Sequence, residues 1–191
     1  MAGPAAEKAA LRAAALDRRA ALPPAARAAA AEALAAAADR LAIPAGAAVS
    51  GFLSIRDEID VGPLLAALAA RGHPLALPVV VGGPAGLVFR RWRPGDPLVA
   101  AGFGLSEPPP SAGEVAPEVL LVPLAAFDRR GHRIGYGRGY YDKALAALDA
   151  VHRRRAIGVA FAAQEVAAVP DEPHDRRLDA VLTERDLLAI S

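Results

Sequence analysis

The chain is expected to fold as α/β: one domain over residues 1–191, with a mostly parallel sheet and helices on both faces, a Rossmann-like three-layer arrangement. Two observations predict this. Short apolar runs alternate with segments of helical periodicity, the pattern of a parallel sheet covered on both sides. No internal repeat or linker divides the 191 residues, a length that suits one full core.

Each element follows in order. Residues 4–21 and 24–42 read as two helices rich in Ala, Leu and Arg, split at Pro23-Pro24. Residues 47–53 form a first candidate strand, and 61–71 a helix ended by Gly72. Two short strands, 75–81 and 87–92, are joined by the turn Gly82-Gly83-Pro84. Residues 94–117 read as loop, with Pro108-Pro109-Pro110 as a stiff stretch. Residues 119–122 form a buried strand that runs into a glycine-rich loop. A helix over 140–151 follows, with Leu145, Leu148 and Val151 on one face. Residues 156–161 and 180–182 are late strands, and 184–188 a final helical turn.

Bulk properties exclude several classes. With 22 basic and 21 acidic side chains the net charge is +1, so no general field draws in nucleic acid or a membrane surface. Cysteine is absent, which removes disulfides, thiolate nucleophiles and cysteine-bound metal, and gives an oxidising compartment no support. The apolar stretches 41–55 and 74–89 are broken by Pro and Gly and do not suit a membrane span. The N-terminus lacks the apolar core of a signal peptide. A soluble, cytoplasmic monomer is expected. His73, His132, His152 and His174 are scattered without zinc spacing.

The chemistry concentrates in one place. Strand 119–122 leads through Phe127-Asp128 to Arg133-Ile134-Gly135-Tyr136-Gly137-Arg138-Gly139-Tyr140-Tyr141-Asp142 and a helix start. Strand, glycine loop and helix N-terminus make a site where backbone N–H groups can meet a phosphate. The spacing is not Gly-x-x-x-x-Gly-Lys-Ser/Thr. It is not the dinucleotide fingerprint either, because Tyr140 stands where the third glycine is needed, and only Gln164 and Glu165 lie near the ribose-binding position. A sugar-phosphate or nucleotide-binding enzyme, or a non-catalytic module such as an RNA-associated protein, would also be compatible with such a loop taken alone.

The loop resembles that of the 5-formyltetrahydrofolate cyclo-ligase family, and the resemblance extends along nearly the whole chain. Lys8-Ala9-Ala10-Leu11-Arg12 is similar to the family's Lys-x-x-Leu-Arg. Phe52-Leu53-Ser54 and Asp57-Glu58-Ile59-Asp60 resemble its folate-side segment, and Phe103-Gly104-Leu105-Ser106-Glu107-Pro108 its Phe-Gly-Ile-x-Glu-Pro. Pro173-His174-Asp175, Asp179 and Thr183-Glu184 resemble its tail.

The resemblance implies ATP as co-substrate, Mg²⁺, and cyclisation of 5-formyltetrahydrofolate to 5,10-methenyltetrahydrofolate through a phosphorylated formyl oxygen. It places Lys8, Ala9, Ala10, Leu11 and Arg12 at the nucleotide, together with Arg133, Ile134, Gly135, Tyr136, Gly137, Arg138, Gly139, Tyr140 and Tyr141. It places Leu53 and Glu58 against the folate, joined there by Tyr136, Gly137, Arg138, Gly139 and Tyr140. Arg133 is the catalytic residue it implies, stabilising charge on the transferring phosphoryl group. Asp142 and Asp175 are its metal ligands, with Asp179 a rival for the second place. Val61 stands where the family often has threonine. From the residues alone, Lys8 and Arg12 share a helix face, Asp142 could equally cap its helix, and Glu58 could be a surface acid.

Overall fold

The computed structural model describes residues 3–84, 86–102, 105–171 and 175–190. Phe103-Gly104 and Pro173-His174, quoted above for the resemblance, lie outside the described residues.

Helix α1 (Pro4–Ala20) ends just before Leu22-Pro23, and α2 (Pro24–Ala36) starts with a proline whose missing N–H costs the first turn nothing. Arg27 fastens this corner by donating to the carbonyls of Ala20 (2.9 Å) and Leu22 (3.0 Å), which lie at or past the end of α1. The expected second helix over 24–42 stops at Ala36. A 3₁₀ turn, Ala38–Leu41, replaces its last part and closes at Ala42 with φ 47°.

The sheet has seven strands. Strand β1 (Val49–Ser50) lies inside it, flanked in parallel by β2 (Leu75–Gly82) and by the central strand β6 (Val119–Pro123). Strands β9 (Arg155–Val159) and β10 (Ala180–Leu182) continue the parallel run beside β6. Each edge is antiparallel: β3 (Gly86–Arg91) on β2, and β11 (Leu187–Ala189) on β10. The strand expected over 47–53 keeps regular pairing only at Val49–Ser50, because beyond Gly51 the chain leaves the sheet to build the site. The helical turn expected over 184–188 is absent. Thr183 Oγ1 instead accepts the N–H groups of Arg185 (3.2 Å) and Asp186 (3.1 Å) in a tight turn, and the apolar run that follows pairs as β11. Three residues that extend a ladder gain backbone bonds that one isolated helical turn would not.

β6 shows why the sheet is covered twice. Val119 and Leu121 face a cluster with Leu34 of α2 and with Leu64, Leu65 and Leu68 of α3 (Gly62–Ala70). Leu120 and Val122 face the other way, toward Ala144 and Leu145 of α4 (Tyr140–Asp149). Successive side chains on a strand point to opposite faces, so a continuous apolar run feeds both layers. Helix α4 ends at Asp149, and Val151, expected on its buried face, is 85% exposed. The Asp149 carboxylate takes the N–H of Arg154 at 2.6 Å and turns the chain toward β9.

Three small pieces complete the architecture. The stretch 94–117 is not wholly loop, since β4 (Val99–Ala100) pairs with β5 (Ser106–Glu107) and a 3₁₀ turn spans Pro110–Ala112. A short hairpin, β7 (Ala126–Phe127) with β8 (Arg133–Ile134), rises from the end of β6. No helix among the described residues is long and apolar enough to cross a membrane.

Candidate active site

The site lies beyond the carboxyl ends of β1, β6 and β9, where ligands bind in open α/β sheets. The β7–β8 hairpin is tied down by Asp128, which is fully buried. Its carboxylate accepts the N–H groups of Arg130 (2.9 Å), His132 (3.1 Å) and Val169 (2.9 Å), and the Arg130 guanidinium at 2.8 Å. Burial opposes its ionisation, but these donors outweigh it and hold its pKa below the usual carboxylate value. This turn aims Arg133 at the helix that follows.

A cleft of about 200 Å³ opens there. From α1 come Lys8 and Arg12; from the loop Arg133, Ile134, Gly135, Gly137 and Gly139; from α4 Asp142; and from the tail Asp175. The glycines serve backbone geometry: Gly137 and Gly139 have φ of 88° and 63°, which side-chain-bearing residues adopt at a cost. Arg12 Nε donates to the Gly135 carbonyl at 2.8 Å and so fixes the loop to α1. The first amides of α4, which have no partner within a helix, stand at the loop's end beside Gly139.

Two cation–carboxylate pairs lie in the cleft. Arg133, whose side chain is 6% exposed, donates to Asp142 and, at 2.5 Å, to the carbonyl of Arg176. Burial lowers its pKa and Asp142 opposes that shift. Lys8 Nζ lies 3.0 Å from Asp175. Asp142 and Asp175 are the two carboxylates that could hold a metal. Among the described residues, no group of three or more His, Cys, Asp or Glu side chains could hold one alone. Two carboxylates in a cleft open to phosphates fit Mg²⁺, which takes one or two carboxylates and fills its octahedron with substrate oxygens and water. Asp179, the rival, is engaged elsewhere: it accepts Ala156 N–H (2.8 Å), Arg153 (2.7 Å) and Arg176 (3.1 Å), and does not line the cleft.

A second, tighter crevice adjoins the first. Arg19, Phe52, Glu58, Ile59, Pro123 and Tyr136 are in its wall. Glu58 is carried on the turn after β1, where its carboxylate accepts Ile55 N–H at 3.0 Å and Ser54 Oγ donates to the Ile59 carbonyl at 2.7 Å. Burial pushes the Glu58 carboxyl up, tempered by the hydroxyl of Tyr136 that bonds to it. The Tyr136 hydroxyl also accepts from Arg19 at 2.7 Å, and burial beside Glu58 raises the phenol's pKa. Leu53 packs half-buried against the core next to this turn.

Not every expected residue reaches a cavity wall. Ala9 and Ala10 have exposed side chains, while Leu11 packs with Ala15, Ala126 and Ile134 and seats α1 on the hairpin. Tyr140 and Tyr141 pack against the α4 layer, the Tyr141 hydroxyl buried without a hydrogen-bond partner. Arg138 is exposed. Gln164 does stand in the wall of the tight crevice, but it is buried and donates to the carbonyls of Leu124 (2.8 Å) and Ala125 (3.0 Å), which leaves it unable to serve a ribose. Val61, buried just before the first residue of α3, lies in neither cavity wall.

Sequence reasoning missed Arg19 in the crevice wall, and His132 and Arg176, which also line the charged cleft. The signal for Arg19 was present: Lys8, Arg12, Ala15 and Arg19 recur at intervals of four, three and four, one face of a helix. Arg176 carried none, because its carbonyl rather than its charge orients Arg133.

Comparison with known proteins shows the family of the chain. The family model described as 5-formyltetrahydrofolate cyclo-ligase family matches residues 4–184. A 5-formyltetrahydrofolate cyclo-ligase of Mycolicibacterium smegmatis is 37% identical over 194 residues, covering 96% of this chain and 97% of that one. The Escherichia coli enzyme of the same name is 36% identical over 140 residues, 71% of this chain and 76% of its own. The solved structure of Aquifex aeolicus 5,10-methenyltetrahydrofolate synthetase superposes with a TM-score of 0.76 at 26% identity, covering 96% and 92% of the two chains. A Mycoplasma pneumoniae synthetase with a TM-score of 0.73 at 21% identity, covering 93% and 98%, shares the fold. The chain therefore belongs to the 5-formyltetrahydrofolate cyclo-ligase family and is an enzyme of the ligase class.

Proposed function

We propose that the chain catalyses the ATP-dependent cyclisation of 5-formyltetrahydrofolate to 5,10-methenyltetrahydrofolate, releasing ADP and phosphate. One observation carries this reading: the open charged cleft lies beside a tight crevice, with Tyr136 at the boundary. Gly135 and Gly137 stand in the wall of the charged cleft, and Tyr136 between them stands in the wall of the crevice with Glu58. A phosphate donor and a flat ring with N–H donors would be brought together there.

A formamide oxygen is a poor leaving group until it is phosphorylated. The formyl oxygen attacks the γ-phosphorus of ATP, and the bond to ADP breaks with its electron pair leaving on ADP. Nitrogen 10 of the folate then attacks the formyl carbon. The carbon–oxygen bond breaks, phosphate carries the oxygen away, and the proton on nitrogen 10 passes to solvent. Both steps need positioning and charge stabilisation rather than a protein nucleophile, which suits a chain without cysteine.

Arg133 would leave Asp142 for the transferring phosphoryl oxygens, being a buried cation already oriented by the Arg176 carbonyl. Lys8 and Arg12 would bind the remaining phosphates from α1, the arginine able to hold two oxygens at once. Asp142 and Asp175, exchanged out of their pairs, would hold Mg²⁺, which when bound neutralises charge between phosphates. Glu58 would accept from the N–H groups of the folate's amino-pyrimidinone ring, with Leu53 nearby.

The test is turnover of purified protein with 5-formyltetrahydrofolate, ATP and Mg²⁺, followed by the near-ultraviolet absorbance of the methenyl product. Product should appear and should require ATP. Absence of product from folded protein that binds ATP would overturn the reading.

A further inference from the structure

Helix α1 touches both cavities with one face. Lys8 and Arg12 stand in the charged cleft, while Arg19, about three helical turns further on than Lys8, stands in the crevice. Arg19 is 5% exposed, a depth at which a cation needs partners. It has two on different elements: the Tyr136 hydroxyl of the glycine loop at 2.7 Å and Asp57 of the Glu58 turn at 2.6 Å. Its guanidinium carbon also lies 5.9 Å from the centre of the Tyr136 ring. One residue earlier in the loop, Arg12 holds the Gly135 carbonyl. The loop is thus gripped by α1 at two consecutive residues, beside Gly137 at φ 88°. Tyr136 and Asp57 in turn flank Glu58, one by hydrogen bond and one by sequence.

We infer that Arg19 is a positioning residue that couples the two cavities, clasping the glycine loop and the Glu58 turn to the helix face that carries Lys8 and Arg12. This rests on the cyclo-ligase reading above. Phosphates drawing on Lys8 and Arg12 bear on α1, and through Arg19 they set the walls of the folate crevice. Nucleotide binding therefore tightens reduced-folate binding, and the reverse holds by linkage. A lysine at this position keeps the charge but lacks the planar fork that reaches two acceptors at once.

The experiment is calorimetric titration of 5-formyltetrahydrofolate into protein with and without a saturating non-hydrolysable ATP analogue and Mg²⁺, for the wild type, Arg19→Lys and Asp57→Ala. The wild type is expected to bind folate at least about fivefold tighter when the analogue is present. Both variants are expected to lose that ratio while the analogue alone still binds. Asp57 is the more exposed end of the pair and reads the same clasp if Arg19→Lys fails to fold. A ratio that survives in either folded variant overturns the inference, as does a wild type that binds both ligands independently. A wild type that binds nucleotide but no reduced folate sinks the cyclo-ligase reading itself, and the inference with it.

Discussion

Arg133 and Asp142, nine residues apart on either side of the glycine loop, are paired across it, the arginine buried and the carboxylate 57% exposed. The pair is asymmetric. Solvent supports the carboxylate if its partner leaves, whereas the guanidinium keeps only the Arg176 carbonyl. A phosphate entering the cleft therefore finds a cation whose desolvation has already been met by the fold, the condition under which charge stabilisation is strongest.

Arg133→Ala is expected to lower kcat by about 10³-fold or more. Asp142 keeps its water, so the melting temperature should move little. Steady-state assay and thermal melting of the same preparation check this. Turnover within a factor of about ten of wild type would remove Arg133 from the phosphoryl-transfer step.

Asp142→Asn keeps a neutral partner for Arg133 and removes a charge from the metal position. The Mg²⁺ concentration for half-maximal rate is expected to rise by at least about tenfold. Titrating Mg²⁺ at fixed ATP measures it. An unchanged midpoint would leave Asp142 as a helix-start carboxylate only.

Glu58 carries a pH dependence of known sign. Burial raises its folded pKa above the ordinary carboxyl value of 4.5, so the native state holds its proton more tightly than the unfolded chain. That contribution is fully present below 4.5 and is lost as pH climbs from there through the folded pKa. Glu58→Gln should therefore gain stability relative to wild type between acid and neutral pH, while binding reduced folate more weakly. Melting curves across that range decide it: a stability difference that is flat with pH would contradict the shift.

Asp128→Ala removes the acceptor of three backbone N–H groups inside a fully buried turn. The expected cost is about 3 kcal/mol, read by urea denaturation. Asp128→Asn should cost less, since one amide oxygen can still accept. A loss in the alanine variant no larger than that of an exposed substitution would mean the turn is held by other contacts.

The chain's order of residues determined a great deal by itself. Apolar runs bounded by Gly and Pro placed β2, β3, β6, β9 and β10, and continuous apolar character in β6 already implied two covering layers. The local motif from Arg133 to Asp142 carried the glycine loop, because glycine placement and helix start are neighbours along the chain. Pairing at the edges was decided by tertiary structure: residues 187–189 have no local preference strong enough to choose strand over turn, and β10 chose for them. The same holds within the site. Arg19 and Asp57 are 38 residues apart, and Lys8 and Asp175 are 167 apart. The worth of a charged side chain depends on what desolvates and faces it, and those partners are set by how α1 lies over the strand ends, which no local pattern of residues encodes.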